Sequence, residues 1–450
     1  MNAATERLIE AGMASEQADA KQILLQRCIE VLGTEKISSV VYAPGRVEFL
    51  GKHTDYCGGR SLLCTVDRGL IVAAVAQNRN TIRIAETSSG EMVEFSPTPD
   101  LQPRSEHWSN YPMTVVRRLA QNFGSLQGAD IAIASDLPRA AGLSSSSALV
   151  VAIFMILSQI NDLSEHPAYV ANIHSIEDLA GYLGCIENGQ NFRTLPGDHG
   201  VGTFGGSQDH TAILCSKPNA LVQYRFAPVV HERTILFPSD YTLAIAVSGV
   251  IAEKTGEAKD KYNQISLLAA QILRQLNDAT GRDDPTLAAA IASSPEGKRR
   301  SQTFVNDESV LGQRGLQFVL ESLVFVPAVG DALAAADFAR AGELISDSQH
   351  AAERLLHNQV LETIFLAAQA CSLGAIAASA FGAGFGGSVW AMIPLAISEK
   401  FLDEWRDAYI SQFPQRLADC EFFTSRPCIP AMTLISDAKT IQLNTDTHHA

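Results

Sequence analysis

The sequence predicts an α+β chain in two parts, and three observations predict it. Short alternating or apolar runs rich in β-branched residues crowd the first 140 residues, and apolar segments of helical length follow them. After about residue 235 the order returns on a smaller scale, strand first, then helices, then a strand pair around a glycine cluster. A chain of 450 residues with 46% hydrophobic content can bury a large core and calls for more than one domain. The boundary is expected near "FAPVVHERTILFPSD", which divides the chain into 1–235 and 236–450.

The elements follow in order. The opening "MNAATERLIEAGMASEQADAKQILLQRCIE" carries acidic residues and no apolar leader core, so it reads as amphipathic helix. "VVYAPGRVEFL", "GLIVAAVAQ", "TIRIAET" and "ADIAIASDLP" read as strands, and "SALVVAIFMILSQI" and "SIEDLAGYLGCIENG" as helices. "LVQYRF" and "YTLAIAVSG" return to strand. Helices are then expected in "YNQISLLAAQILRQL", "LQFVLESLVFVPAVGDALAAADFARAGELI" and "LETIFLAAQACSLG", before the strand pair in "GAIAASAFGAGFGGSVWAMI". The tail "LNTDTHHA" is expected to fray.

Bulk properties exclude several classes. A net charge of −15 and a pI near 5.2 give no reason for a nucleic-acid or anionic-membrane partner. No uninterrupted apolar run approaches the ~18 residues of a membrane span. Eight cysteines without C-x-x-C spacing fit reduced thiols better than a disulfide frame or a zinc site. A cytoplasmic protein, monomeric or weakly dimeric, is expected.

Three stretches carry chemistry. "GRVEFLGKH" nearly spells a phosphate-binding loop, but five residues separate Gly45 from Gly51 where four are needed, and His53 stands where Ser or Thr would hold Mg²⁺. Arg46, Lys52, His53 and Asp55 still crowd into ten residues, as a site or as a charged turn. "LPRAAGLSSSSALVVA" places Ser144 to Ser147 between a strand and an apolar helix, where unpaired N–H groups and the helix dipole favour phosphate; a single serine would suffice as a cap. In "SAFGAGFGGSVWAMI", Gly382, Gly384 and Gly387 satisfy G-x-G-x-x-G, but strand rather than helix follows, which argues against a dinucleotide fold and for a glycine hairpin that lets backbone approach a ligand.

In this order "PGRVEFLGKHTDYCGG", "GLSSSSA", "GGSQDH" and "GAGFGG" resemble the galactokinase branch of the GHMP kinases. "HWSNYPMTVV" and "AADFARAGELISDSQHAAERLL" resemble further stretches of it, so the likeness runs from about residue 40 to 430. The resemblance implies a two-domain fold, ribosomal-protein-S5-domain-2-like then ferredoxin-like, and an ATP-dependent, Mg²⁺-requiring kinase acting on the anomeric hydroxyl of galactose or a related sugar. It implies that Arg46 sits beside the transferred phosphate and that Asp209 faces the accepting hydroxyl. Lys52, His53, Asp55, Gly206 and Tyr262 would lie around the sugar. Gly142, Ser144, Ser145 and Ser146 would surround the nucleotide phosphates, with Trp108 and Tyr111 near the adenine. Ser146 and Glu187 would hold Mg²⁺, and Gly382 and Gly384 would support the floor of the site.

The chain departs from that pattern on the sugar side. Glu48 replaces an Asn and Lys52 a Glu of the usual N-L-I-G-E-H, His210 follows the catalytic Asp in place of the family's residue, and Ser379 stands where a basic residue is common. Lys52 exchanges an acceptor for a donor, which would favour a uronic acid such as galacturonate. Pairing of Lys52 with Glu48 would instead leave the pocket suited to galactose. A sensor that binds ATP and sugar without turnover, and a kinase of a non-sugar alcohol, are the rival readings.

Overall fold

The computed structural model describes residues 3–436 apart from positions 35, 106, 140, 252–255 and 294. Twelve strands among the described residues, β1 Ser39–Leu50, β2 Arg60–Gln77, β3 Ile82–Glu86, β4 Met92–Phe95, β5 Gly128–Ser135, β6 Ala220–Arg225, β7 Val230–Leu236, β8 Tyr241–Val247, β9 Ala377–Phe381, β10 Ser388–Pro394, β11 Glu421–Ser425 and β12 Met432–Ser436, form two sheets. The first runs β12-β1-β2-β5-β3-β4, with the β6–β7 pair joined to the start of β2; the second runs β11-β8-β10-β9.

Burial explains the near-continuous apolar strands. All twelve residues of β1 are buried, because helices cover both faces of its sheet. On one face lies the Ser145–Ile160 helix, whose residues Ser147 to Phe154 are all buried, as expected of a helix apolar all round. On the other, Leu24, Leu25 and Cys28 of the Ser15–Leu32 helix pack against Ile71, Ala73 and Ala132. One face of the second sheet is rich in alanine (Ala244, Ala246, Ala378, Ala380, Ala391), which leaves room for Trp405 and Tyr409 of the Ser398–Gln412 helix. Phe49 of β1 and Trp390 of β10, both fully buried, stack with ring centroids 4.0 Å apart and so couple the two sheets.

The expected strands and helices are present, with additions. The β2 strand begins at Arg60, nine residues ahead of the apolar run that predicts it, because its first half pairs with β6. The stretch expected to hold the boundary contains β7, paired with β6. Strands β4, β11 and β12 and the Gln208–Cys215 helix are too short or too polar to announce themselves. The tail 443–450 lies outside the described residues. No membrane span is expected from uninterrupted apolar runs, yet one helical run, Val310–Ala334, is long and apolar enough by length and composition; 56% of its apolar window is buried within the protein. It contains a π-helical turn, Leu320–Phe325.

Replacing Trp390 by Ala should destabilise the protein by about 3–5 kcal/mol, as for other large buried aromatics. A fall in the urea midpoint of unfolding would register it, and an unchanged midpoint would show that the Phe49–Trp390 stack does not couple the sheets.

Candidate active site

Local backbone features aim the residues of the site. In β1 a bulge at Pro44–Arg46 interrupts the pairing with β2, which accommodates a proline inside a central strand. Beyond the bulge the Arg46 N–H leaves the ladder and donates to the Leu143 carbonyl at 3.1 Å, fastening β1 to the serine stretch. Ser144 occupies the N-cap of the Ser145–Ile160 helix with a left-handed φ of 57°, and its hydroxyl makes no capping bond. The hydroxyl donates instead to Asp209 Oδ2 at 2.5 Å. Ser145 is exposed, Ser146 half-buried, and the buried Ser147 donates to Glu187 Oε2 at 2.9 Å. The serine run therefore serves two carboxylates and lines an opening instead of capping the helix.

Arg46 is the hub. Its Nε donates to Asp209 Oδ1 at 2.7 Å and its Nη1 to the Gly142 carbonyl at 2.5 Å. Burial disfavours the guanidinium cation, but Asp209 more than offsets this and raises its pKa, so Arg46 is held charged. The glycine stretch forms the β9–β10 hairpin connection, Ser388 opposite Phe381, as the hairpin reading expects. A Cβ on Gly382 would lie 3.3 Å from the Gly142 carbonyl, and its φ of 84° is left-handed; Gly384 would drive a Cβ to 2.3 Å from the Asn358 carbonyl. Ser388 Oγ donates to Ala141 O at 2.5 Å, locking the hairpin onto the serine stretch.

Two openings meet at Arg46. A polar recess is lined by Glu48, His53, Asp55, Ser147, Glu187, Gly206, Gln208, Asp209, His210, Tyr262 and Gly382, among others. A larger cleft of about 560 Å³ is lined by Trp108, Tyr111, Gly142, Ser144, Ser145, Ser146, Lys259 and Gly384, among others. Arg46 and Ala383 belong to both walls. Trp108 is fixed at the cleft by its indole N–H, which donates to Glu91 Oε2 at 2.8 Å. Within the recess both ring nitrogens of His53 are engaged, Nδ1 with the Tyr56 hydroxyl at 2.8 Å and Nε2 with the Ala383 carbonyl at 3.0 Å. Its ring lies 5.3 Å from that of Tyr262, whose phenol burial keeps protonated. Asp55 Oδ2 accepts from the Gln208 N–H at 3.1 Å, and any Cβ on Gly206 would come within 2.6 Å of it.

The structure separates some residues that were grouped together. Ser146 lines the cleft whereas Glu187 lines the recess, and the hydroxyl bonded to Glu187 is that of Ser147. Lys52, 1% exposed, does not line the recess; its ammonium turns away and donates to Ser379 Oγ at 2.8 Å and Ser348 Oγ at 3.4 Å. A buried ammonium needs partners, and these two serines supply them to Lys52, which was expected near the sugar. Two departures from the family pattern, Lys52 and Ser379, thus touch each other.

Residues that the sequence reading passed over complete the site. Arg314, Gln317 and Glu321 hold the signature loop by its backbone. Arg314 Nη2 donates to His53 O at 2.7 Å, Gln317 Nε2 donates to Lys52 O at 3.0 Å, and Glu321 Oε1 accepts from the Gly51 and Lys52 N–H groups at 2.8 and 3.2 Å. Their spacing within an otherwise apolar helical run was the available signal. Glu48 Oε2 accepts from Gln208 Nε2 at 2.8 Å. Burial pushes the Glu48 carboxyl up to about 8 despite the neighbouring Lys52 and Arg46 cations. His210 Nε2 lies 3.2 Å from Glu187 Oε2.

Residues 29–76 match the galactokinase galactose-binding signature, and residues 110–185 match the GHMP kinase N-terminal domain. The chain is 29% identical to a galactokinase of Roseiflexus sp. (strain RS-1) over 382 residues, covering 82% of this chain and 87% of that one. Among solved structures, Lactococcus lactis galactokinase complexed with galactose superposes with a TM-score of 0.74 at 20% identity, covering 92% of this chain and 99% of that one. Methanococcus jannaschii mevalonate kinase superposes at 0.52 and 11%, covering 88% and 99%. The α+β fold of this chain is shared with both.

The raised Glu48 carboxyl has a consequence for stability. Between the ordinary value of 4.5 and the value of about 8 in the fold, the native protein holds a proton that the unfolded chain has released. Its contribution is complete below pH 4.5 and is lost as pH rises through 8. The Tm of the parent should therefore fall relative to that of Glu48→Gln between about pH 5 and pH 8. Parallel Tm profiles would show that the carboxyl titrates normally.

Proposed function

We propose, for a chain of the galactokinase branch of the GHMP kinases, ATP-dependent transfer of the γ-phosphoryl group to the anomeric hydroxyl of galactose. The observation that carries this reading is the Arg46–Asp209 pair, which stands where the polar recess meets the larger cleft. Sugar occupies the recess and nucleotide the cleft, with its phosphates toward Ser144–Ser146 at the helix N-terminus and its base toward Trp108 and Tyr111.

Phosphoryl transfer asks mainly for in-line positioning, neutralisation of charge and an acceptor for the hydroxyl proton. Arg46 supplies a fixed planar cation in the wall shared by both openings. Asp209, held by Arg46 on one oxygen and by Ser144 on the other, accepts the proton of the attacking hydroxyl. The donor set also fits Mg²⁺: a hard cation takes carboxylate and hydroxyl oxygens, and Glu187 with Ser146 or Ser147 offers them. When bound, the ion would neutralise phosphate charge. In this reading residues 1–235 bring the sugar signature and the serine loop, and residues 236–450 bring the glycine loop. Unpaired thiols at all eight cysteines agree with a reducing compartment such as the cytoplasm. A non-catalytic sensor would need no carboxylate oriented at the junction by two donors. With Lys52 turned away, the recess presents carboxyls from Glu48, Asp55, Glu187 and Asp209, a poor host for a uronate.

Release of ADP with galactose is the direct test, and kcat/KM should favour galactose over galacturonate; the reverse order would restore the uronic-acid reading. Asp209→Asn should lower kcat by about 10²-fold or more while leaving ATP affinity nearly unchanged. A near-normal kcat would remove Asp209 as the proton acceptor. Glu187→Gln should raise the Mg²⁺ concentration needed for half-maximal rate, and an unchanged titration would take Glu187 out of the metal site.

A further inference from the structure

We infer that Glu48 reads a hydroxyl of the sugar substrate through Oε1. The inference rests on the sugar-kinase reading above. Few side-chain polar atoms among the described residues are buried without a partner: Glu48 Oε1, His210 Nδ1, Ser216 Oγ and Trp390 Nε1, whereas His210 Nε2 and Arg83 Nε each lie 3.2 Å from a carboxylate oxygen. Of these residues only Glu48 and His210 line the recess. A buried unsatisfied atom in the wall of a substrate cavity points to a partner that arrives with the substrate.

Geometry singles out Oε1. Ser61 Oγ donates to Gln208 Oε1 at 2.5 Å, which fixes the amide so that its Nε2 faces Glu48. Oε2 of Glu48 is therefore occupied by Gln208, and Oε1 is the oxygen left over. Lys52 cannot compete for the substrate, because Ser379 and Ser348 hold its ammonium outside the recess. Lys52, Arg46 and Glu321 are the charged groups that bear on Glu48. A hydroxyl suits Oε1 in either protonation state, donating to the carboxylate or accepting from the acid. The signature stretch thus presents a carboxyl group to the recess at Glu48, four residues before Lys52.

The test is calorimetric titration of the full-length protein, without ATP, with galactose and its 2-, 3-, 4- and 6-deoxy analogues, in the parent, in Glu48→Asn and in Glu48→Gln. Asparagine, the residue the related signature carries there, is too short to reach, and glutamine preserves the shape. In the parent one deoxy sugar should bind about tenfold or more weakly than galactose. That ratio should collapse toward one in Glu48→Asn and narrow in Glu48→Gln, with the other three ratios unchanged. Equal ratios in parent and variants, or a uniform loss for every sugar, would overturn the assignment by showing a merely structural role. Glu48-dependent binding without ADP release would sink the kinase reading and leave the assignment standing. ADP release with unchanged ratios would do the opposite. A parent that binds none of these sugars overturns both.

Discussion

A guanidinium buried to 3% exposure has to be neutralised where it stands, and much of this site is the means of neutralising Arg46. Asp209 supplies the counter-charge, but a carboxylate in the first turn of an eight-residue helix is useful only if that helix is brought against β1. Gly142 supplies a carbonyl, which requires the serine stretch to fold back over the strand; the Arg46 N–H bond to Leu143 secures that return. The glycine hairpin closes the remaining side at van der Waals distance, where any side chain would intrude. Four segments remote in sequence therefore converge because one cation demands it. The same cation lies in the wall shared by the recess and the cleft.

The second constraint is the signature loop, residues 51 to 57, which carries His53 with a left-handed φ of 57°. A non-glycine residue holds that conformation only when its surroundings over-determine it. Arg314, Gln317 and Glu321 do so by binding backbone groups of Gly51, Lys52 and His53 from one face of the Val310–Ala334 run. Ser348 continues the set by donating to Glu321 Oε2 at 2.7 Å and facing Lys52. An apolar helix of spanning length is thus committed along its polar stripe to the interior of the protein.

Legibility in the sequence followed range. Strands β1, β3, β5, β8, β9 and β10 and the long helices were readable because their apolar periodicity is local. The first half of β2 was not: its opening residues Arg60 to Leu63 pair with β6, more than 150 residues away, and Leu62 to Thr65 pair with β1 beyond its bulge. For the site, motif order located the recess and the cleft, including Arg46, Asp209, Ser144 and Glu187. It could not say which serine meets which carboxylate: that depends on the helix phase, by which the Ser147 hydroxyl reaches Glu187. Nor could it orient Lys52, whose partners Ser348 and Ser379 lie about 300 residues on.

Lys52 and Ser379 show why departures from a pattern are better read in pairs. Taken alone, a lysine for a glutamate in the signature adds positive charge to the sugar side, and a serine for a basic residue before the glycine loop removes it elsewhere. In the fold the two positions touch at 2.8 Å, so one change accommodates the other: a cation arriving from the loop needs a small hydroxyl acceptor where a second cation would repel it. Glu48, four residues before Lys52 and on the recess wall, carries a carboxyl with one oxygen to spare. Leaving such an oxygen buried and unpaired costs about 1–3 kcal/mol in the absence of a partner. That cost is tolerable in a large core, and it becomes specificity when a substrate hydroxyl supplies the missing bond.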